Sequence, residues 1–127
     1  LPESLYELYQ LAIEWSVKSF VDGHPGLGIL EQEVYQKAGE VAYSCHAECT
    51  EGKGTRVFTH EMAQKACDGM WEEMCGTGDN TAVVLSIIKV IEQKASYQFS
   101  HLSFQEFLFV DQLLRKWRMF RENKGTA

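Results

Sequence analysis

Tyr97-Gln98-Phe99-Ser100-His101-Leu102-Ser103-Phe104-Gln105-Glu106-Phe107-Leu108 changes its hydrophobic period in mid-run. Tyr97, Phe99 and His101 alternate with polar residues, as on a half-buried strand, whereas Phe104, Phe107, Leu108, Leu114 and Trp117 recur at helical steps. A strand therefore runs straight into a helix. Ser103 and Glu106 have the spacing of a capping box, in which the two side chains satisfy amide donors of the first turn. His101 then stands just ahead of a helix N-terminus, where unpaired backbone N–H groups and the positive end of the dipole favour an anion. An imidazole there adds a donor for a phosphate. The same position suits a packing or capping histidine, and Glu106 would repel a phosphate brought close, so the physics leaves both roles open.

Working outward, Ser86-Ile87-Ile88-Lys89-Val90-Ile91 is a β-branched run that reads as a strand. The short polar link Gln93-Lys94-Ala95-Ser96 lets it fold back onto residues 97–101 as an antiparallel hairpin, a wing at about 86–101. Downstream, the spacing predicts a helix over about 103–121. Arg115, Lys116, Arg118 and Arg121 near its end complement the negative pole of the dipole. A solvated helix end is the simpler reading of that cluster and a basic binding patch the other. Residues 123–127 read as frayed.

The first half of the chain is helical in pattern. Ser4 and Glu7 repeat the capping-box spacing, and Leu5, Leu8, Leu11, Ala12, Trp15 and Phe20 give one broad apolar face to a helix over about 5–21. Asp22-Gly23-His24-Pro25-Gly26 stops it. A second helix over about 27–46 carries Leu30, Val34, Ala38, Val41, Ala42 and Cys45 on a narrow stripe of small residues, which lets another helix approach closely. Thr59 is a candidate N-cap for a third helix reaching Met74, with Met62, Ala63, Ala66, Cys67, Met70, Trp71 and Met74 on its buried face. Gly76-Thr77-Gly78-Asp79-Asn80 ends it, and residues 81–85 suit a short helical turn. The glycines form no nucleotide fingerprint. Gly52-Lys53-Gly54-Thr55 lacks the Gly-Lys-Ser/Thr order of a P-loop, and no strand precedes Gly76.

Composition bounds the function. With 45% hydrophobic and 24% charged residues over 127 positions, the chain can bury one ordinary core, so one domain is the default. No apolar run is long enough to cross a bilayer, which speaks for a soluble protein. Leu1 in place of a Met indicates a piece of something longer, with both ends read as joins. A net charge of −6 disfavours attraction to nucleic-acid phosphates. Cys45, Cys49, Cys67 and Cys75 lie within helical patterns as small apolar residues, in keeping with a reducing cytosol. Cys45, His46, Cys49 and His60 could be drawn around zinc, but they lack a second closely spaced ligand pair. His24, His46, His60 and His101 meet no nucleophile or carboxylate at a recognisable catalytic spacing, so the chain alone does not read as an enzyme.

The run from Phe99 to Leu108 resembles the segment that closes the winged-helix part of NACHT-type signal-transduction NTPases, the class that includes the NOD-like receptors. There a phenylalanine, one residue and a histidine precede Ser-Phe-Gln-Glu-Phe at the start of a long helix. Ser103 to Phe107 match without a gap. The small residues typical further on are here Phe109, Val110 and Asp111. Residues 1–9 also resemble the last helix of the module that precedes the winged helix.

The resemblance implies a mainly α fold, a helical bundle with a winged-helix unit of three helices and a hairpin wing. Residues 1–26 would end the preceding helical module, 27–102 form the winged-helix domain, and 103–127 form a C-terminal helix leading to a helical or repeat region. It implies that His101 contacts the β-phosphate of ADP in the parent, a slow P-loop NTPase whose catalytic motifs lie upstream. His101 would hold the ADP-bound closed state, and exchange for ATP would free the winged helix to rotate and permit homo-oligomerisation. The implied partners are the upstream NACHT module and downstream sensor repeats, the setting is cytoplasmic innate-immune or cell-death signalling, and no nucleic acid or membrane takes part. Two other classes stand beside this one. A helical interaction module, or a NACHT relic without nucleotide function, has the same composition. A DNA-binding winged helix would need a basic third helix, yet this one sets a single lysine against Glu61, Asp68, Glu72 and Glu73.

Overall fold

The first helix begins where Ser4, in extended backbone, accepts a hydrogen bond from the Glu7 amide at 3.1 Å. In the computed structural model, which describes residues 4–48, 57–75, 85–92 and 95–125, this helix α1 spans Leu5–Asp22. It ends at Gly23, and His24 Nδ1 donates to the Phe20 carbonyl at 2.7 Å. The face it buries is not the one expected from its leucines. Ile13, Ser16, Val17 and Phe20 are buried, while Leu5, Leu8, Leu11 and Trp15 are exposed. A helix with apolar residues on two sides offers two stripes, and here the one continued by Tyr6 and Tyr9 wins. Tyr6 lies 4.7 Å from Phe107 and Tyr9 6.1 Å from Phe104, ring to ring.

Helix α2 spans Glu31–Glu48, starting four residues later than its pattern indicated. The intervening Pro25–Leu27 forms a 3-10 turn that ends at Gly28, whose φ of 64° belongs to no right-handed helix. Leu30 is left exposed ahead of α2, and Val34, Ala38, Val41, Ala42 and Cys45 make its buried stripe.

The expected third helix is two helices. β1 (Phe58–Thr59) leads into α3 (His60–Ala66), where Thr59 accepts from the Met62 amide at 3.1 Å, and α4 is Trp71–Cys75. Between them Asp68 has φ 52° and Gly69 φ 89°. Gly69 N–H reaches the Gln64 carbonyl at 2.9 Å and Asp68 N–H the Lys65 carbonyl at 3.3 Å, the paired bonds of a Schellman cap. The apolar spacing survives the break, so Ala63, Cys67, Trp71 and Met74 are all buried.

β2 (Ile88–Glu92) and β3 (Ser96–Phe99) form the expected antiparallel hairpin, pairing Ile88 with Phe99 and Val90 with Tyr97. Ser86 and Ile87 are a turn and not strand, and Ser100 and His101 are a bend. A bulge between Val90 and Glu92 turns Ile91 outward. β1 adds itself to β3 through Phe58–Tyr97 and Thr59–Ser96, giving the order β1-β3-β2. In the succession α2, β1, α3, α4, β2, β3 the hairpin follows the helices, at the place where a wing was expected. The rings of Phe58, Trp71 and Tyr97 meet at 5.2–5.9 Å beneath the sheet.

The last helix, α5, spans Leu102–Gly125, beyond the point where fraying was expected, and packs along α2. Among the described residues the protein is thus mainly helical, five α-helices with one small antiparallel sheet. No helix among them is long and apolar enough to cross a membrane. The readings placed on residues 52–55, 76–80 and 81–84 lie outside the described residues, as does Cys49.

Candidate functional site

The corner where the wing meets α5 is fastened by three serines. Ser100 N–H donates to the Ile87 carbonyl at 2.7 Å and its hydroxyl to the Ser86 carbonyl at 2.9 Å. The Ser86 hydroxyl in turn lies 2.6 Å from that of Ser16, which ties the corner to α1. These bonds set the direction in which the chain enters α5. The helix starts at Leu102, so Ser103 sits inside the first turn and not at the cap, and the capping-box reading is corrected. The strand ends early enough for the chain to turn before Ser103, and that turn moves the start of the helix back by a residue.

His101 is the residue directly ahead of α5, as the sequence indicated. Its carbonyl accepts from Phe104 N–H at 3.1 Å and closes the first turn. Its imidazole is exposed and stands edge-on to the Phe104 ring at 5.3 Å, which is braced by Tyr9 of α1. Among the described residues no hydrogen bond or ion pair engages the ring nitrogens. A braced imidazole next to the open amides of a helix start can donate to an anion arriving from solvent. The hollow of about 410 Å³ between α1, α2 and α5, lined by Glu14, Tyr35, Gln36, Asp111 and Arg115, lies elsewhere. Asp111 is ten residues along α5, about 15 Å away by helical rise.

The other histidines do not converge. His46 stacks on Phe109 at 4.2 Å, and the Cys45 thiol donates to Gln105 Oε1 at 3.7 Å, both toward α5. His60 faces the sheet, with Nδ1 2.9 Å from the Tyr97 hydroxyl and Nε2 3.5 Å from Glu72 Oε1. No group of three metal-ligating side chains exists among the described residues. The Tyr97–His60–Glu72 contact escaped the sequence reading. The one signal for it is that a strand tyrosine facing the core needs a partner for its hydroxyl.

The basic cluster of α5 splits in two. Arg115 pairs with Asp111 at 3.3 Å over the Tyr35 ring, and Lys116 pairs with Glu40 at 3.5 Å over the Tyr43 ring, so both face α2. Arg118 and Arg121 point to solvent. Burial pushes the Tyr35 hydroxyl well above its ordinary range, with Asp111 adding to the shift and Arg115 opposing it. Burial likewise pushes the Cys67 thiol up to about 12, against the pull of Lys37.

No known protein family, curated protein or solved structure matches this chain.

Proposed function

We propose that this chain is the regulatory winged-helix region of a NACHT-type signalling protein switched by ATP and ADP. In this reading His101 donates to the β-phosphate of ADP held by an upstream nucleotide-binding module, stabilises the closed state, and lets go on exchange for ATP. The winged helix then rotates and permits oligomerisation in cytoplasmic immune or cell-death signalling, with sensor repeats downstream. The observation that carries the reading is the placement of His101. It is exposed, braced by Phe104 and directly ahead of α5, inside the run from Phe99 to Leu108 that resembles the family. Ser16, Ser86 and Ser100 support it by tying that corner to both α1 and the wing, so a ligand pulling on His101 pulls on the whole unit.

The surface of α3 and α4 speaks against docking in a DNA groove. Glu61, Asp68, Glu72 and Glu73 are exposed there, and carboxylates facing phosphates repel. The test is made on the full-length protein that contains this chain, purified and denatured to release what it carries. The reading expects a Gly-x-x-x-x-Gly-Lys-Ser/Thr segment upstream of Leu1 and co-purifying ADP. A full-length protein lacking that segment and free of nucleotide overturns it.

A further inference from the structure

From Leu113 onward every described side chain of α5 is exposed, Leu114 and Met119 included, so its apolar residues are not gathered against the core. A helix on a globular surface ordinarily turns its apolar stripe to the core. Here the side toward α2 and α1 carries Asp111, Gln112, Arg115 and Lys116, with Gln112 only 5% exposed. The outward side carries Val110, Leu113, Trp117 and Phe120, each 44–56% exposed, with Phe120 stacked on Trp117 at 6.0 Å. That spacing of three, four and three is an a/d heptad seam, the pattern by which one helix receives another. Charge narrows the occupant. Residues 112–122 hold four cations and one carboxylate, Glu122, which borders the same hollow as Arg118 and Arg121. The inward pair, Arg115 and Lys116, is already matched by Asp111 and Glu40. Among the described residues no carboxylate engages Arg118 or Arg121.

We propose that the outward face of α5 is a docking seam for an acidic amphipathic helix of a partner. Leucine-like side chains of the partner would fill the positions between Val110, Leu113, Trp117 and Phe120, and its flanking carboxylates would meet Arg118 and Arg121. The apolar seam supplies the affinity and the two arginines the choice of partner and its register. This inference stands on the face of α5 alone and does not depend on any role of His101.

The experiment uses the full chain and a fluorescein-labelled designed peptide of four heptads, Leu at a and d and Glu at e and g, followed by anisotropy. The expected result is saturable binding that weakens as salt rises. It falls at least tenfold with Trp117→Ala and again with Arg118→Glu and Arg121→Glu together. A peptide with Lys in place of Glu then binds the charge-reversed chain better than the original. Both variants keep the far-UV circular dichroism of the starting chain, since the side chains changed are exposed. Absence of binding, or binding indifferent to charge reversal, overturns the proposal. Two other results also overturn it: self-association of the chain that Trp117→Ala abolishes, which assigns the face to a second copy, and capture of the chain by phosphatidylserine vesicles but not by the peptide.

Discussion

Replacing Gly39 by Ala separates two effects of opposite sign at the α2–α5 contact. In a helix interior Ala is favoured over Gly by about 1 kcal/mol. A Cβ on Gly39, however, would sit 2.9 Å from Gln112 Oε1, inside contact distance. Gln112 is 5% exposed and its Nε2 donates to Glu40 Oε1 at 2.7 Å, so its amide has nowhere to swing without giving up that bond. A hydrogen bond to a charged partner is worth about 1.5–3 kcal/mol. The loss exceeds the gain, and Gly39→Ala destabilises by about 0.5–2 kcal/mol. In a Gln112→Ala background the obstacle is gone and the same substitution stabilises by about 1 kcal/mol. Urea unfolding of the four chains, followed by circular dichroism, completes the cycle. Stabilisation by Gly39→Ala in the original chain, or equal effects in both backgrounds, refutes the reasoning.

Ser4→Ala removes a working N-cap and costs about 0.5–2 kcal/mol, whereas Ser103→Ala, inside the first turn of α5, costs less than about 0.5; urea midpoints compare them. The Cys67 thiol is pushed by burial from 9.0 to about 12, so between those values the unfolded chain has released a proton that the folded chain keeps, and stability falls as pH rises. Cys67→Ala should flatten that fall, as read by unfolding midpoints at pH 8 and pH 10.5. The isolated chain should show no micromolar affinity for ADP by calorimetry, since one histidine and one helix start supply only part of a phosphate site; such affinity would mean that further residues of the chain complete a phosphate cradle around His101.

The wing and the closing helix were legible because the change of period at Phe99 to Phe104 is unambiguous, and His101 followed from that junction. The break between α3 and α4 was not. Asp68 takes the left-handed position that glycine normally fills, and the apolar spacing continues through it from Ala63 to Met74. β1 was missed because two residues carry no period. The buried side of α1 was misread because Leu8 and Ile13 belong to competing stripes, and only the partners Phe104 and Phe107 decide between them. Ser103 lost its cap for a similar reason, since a turn at Ser100 and His101 costs residues that a pattern does not count.

The rate at which ADP leaves the full-length protein, with His101 and with His101→Ala, tests the proposed switch most directly. If the imidazole donates to the β-phosphate in the closed state alone, its removal deletes one bond worth about 0.5–3 kcal/mol. The resting equilibrium then moves toward the open form by up to roughly a hundredfold. The expected result is faster ADP release together with signalling in the absence of a trigger, at matched expression. Unchanged ADP release with a lowered melting temperature would contradict it and leave His101 a brace for the start of α5.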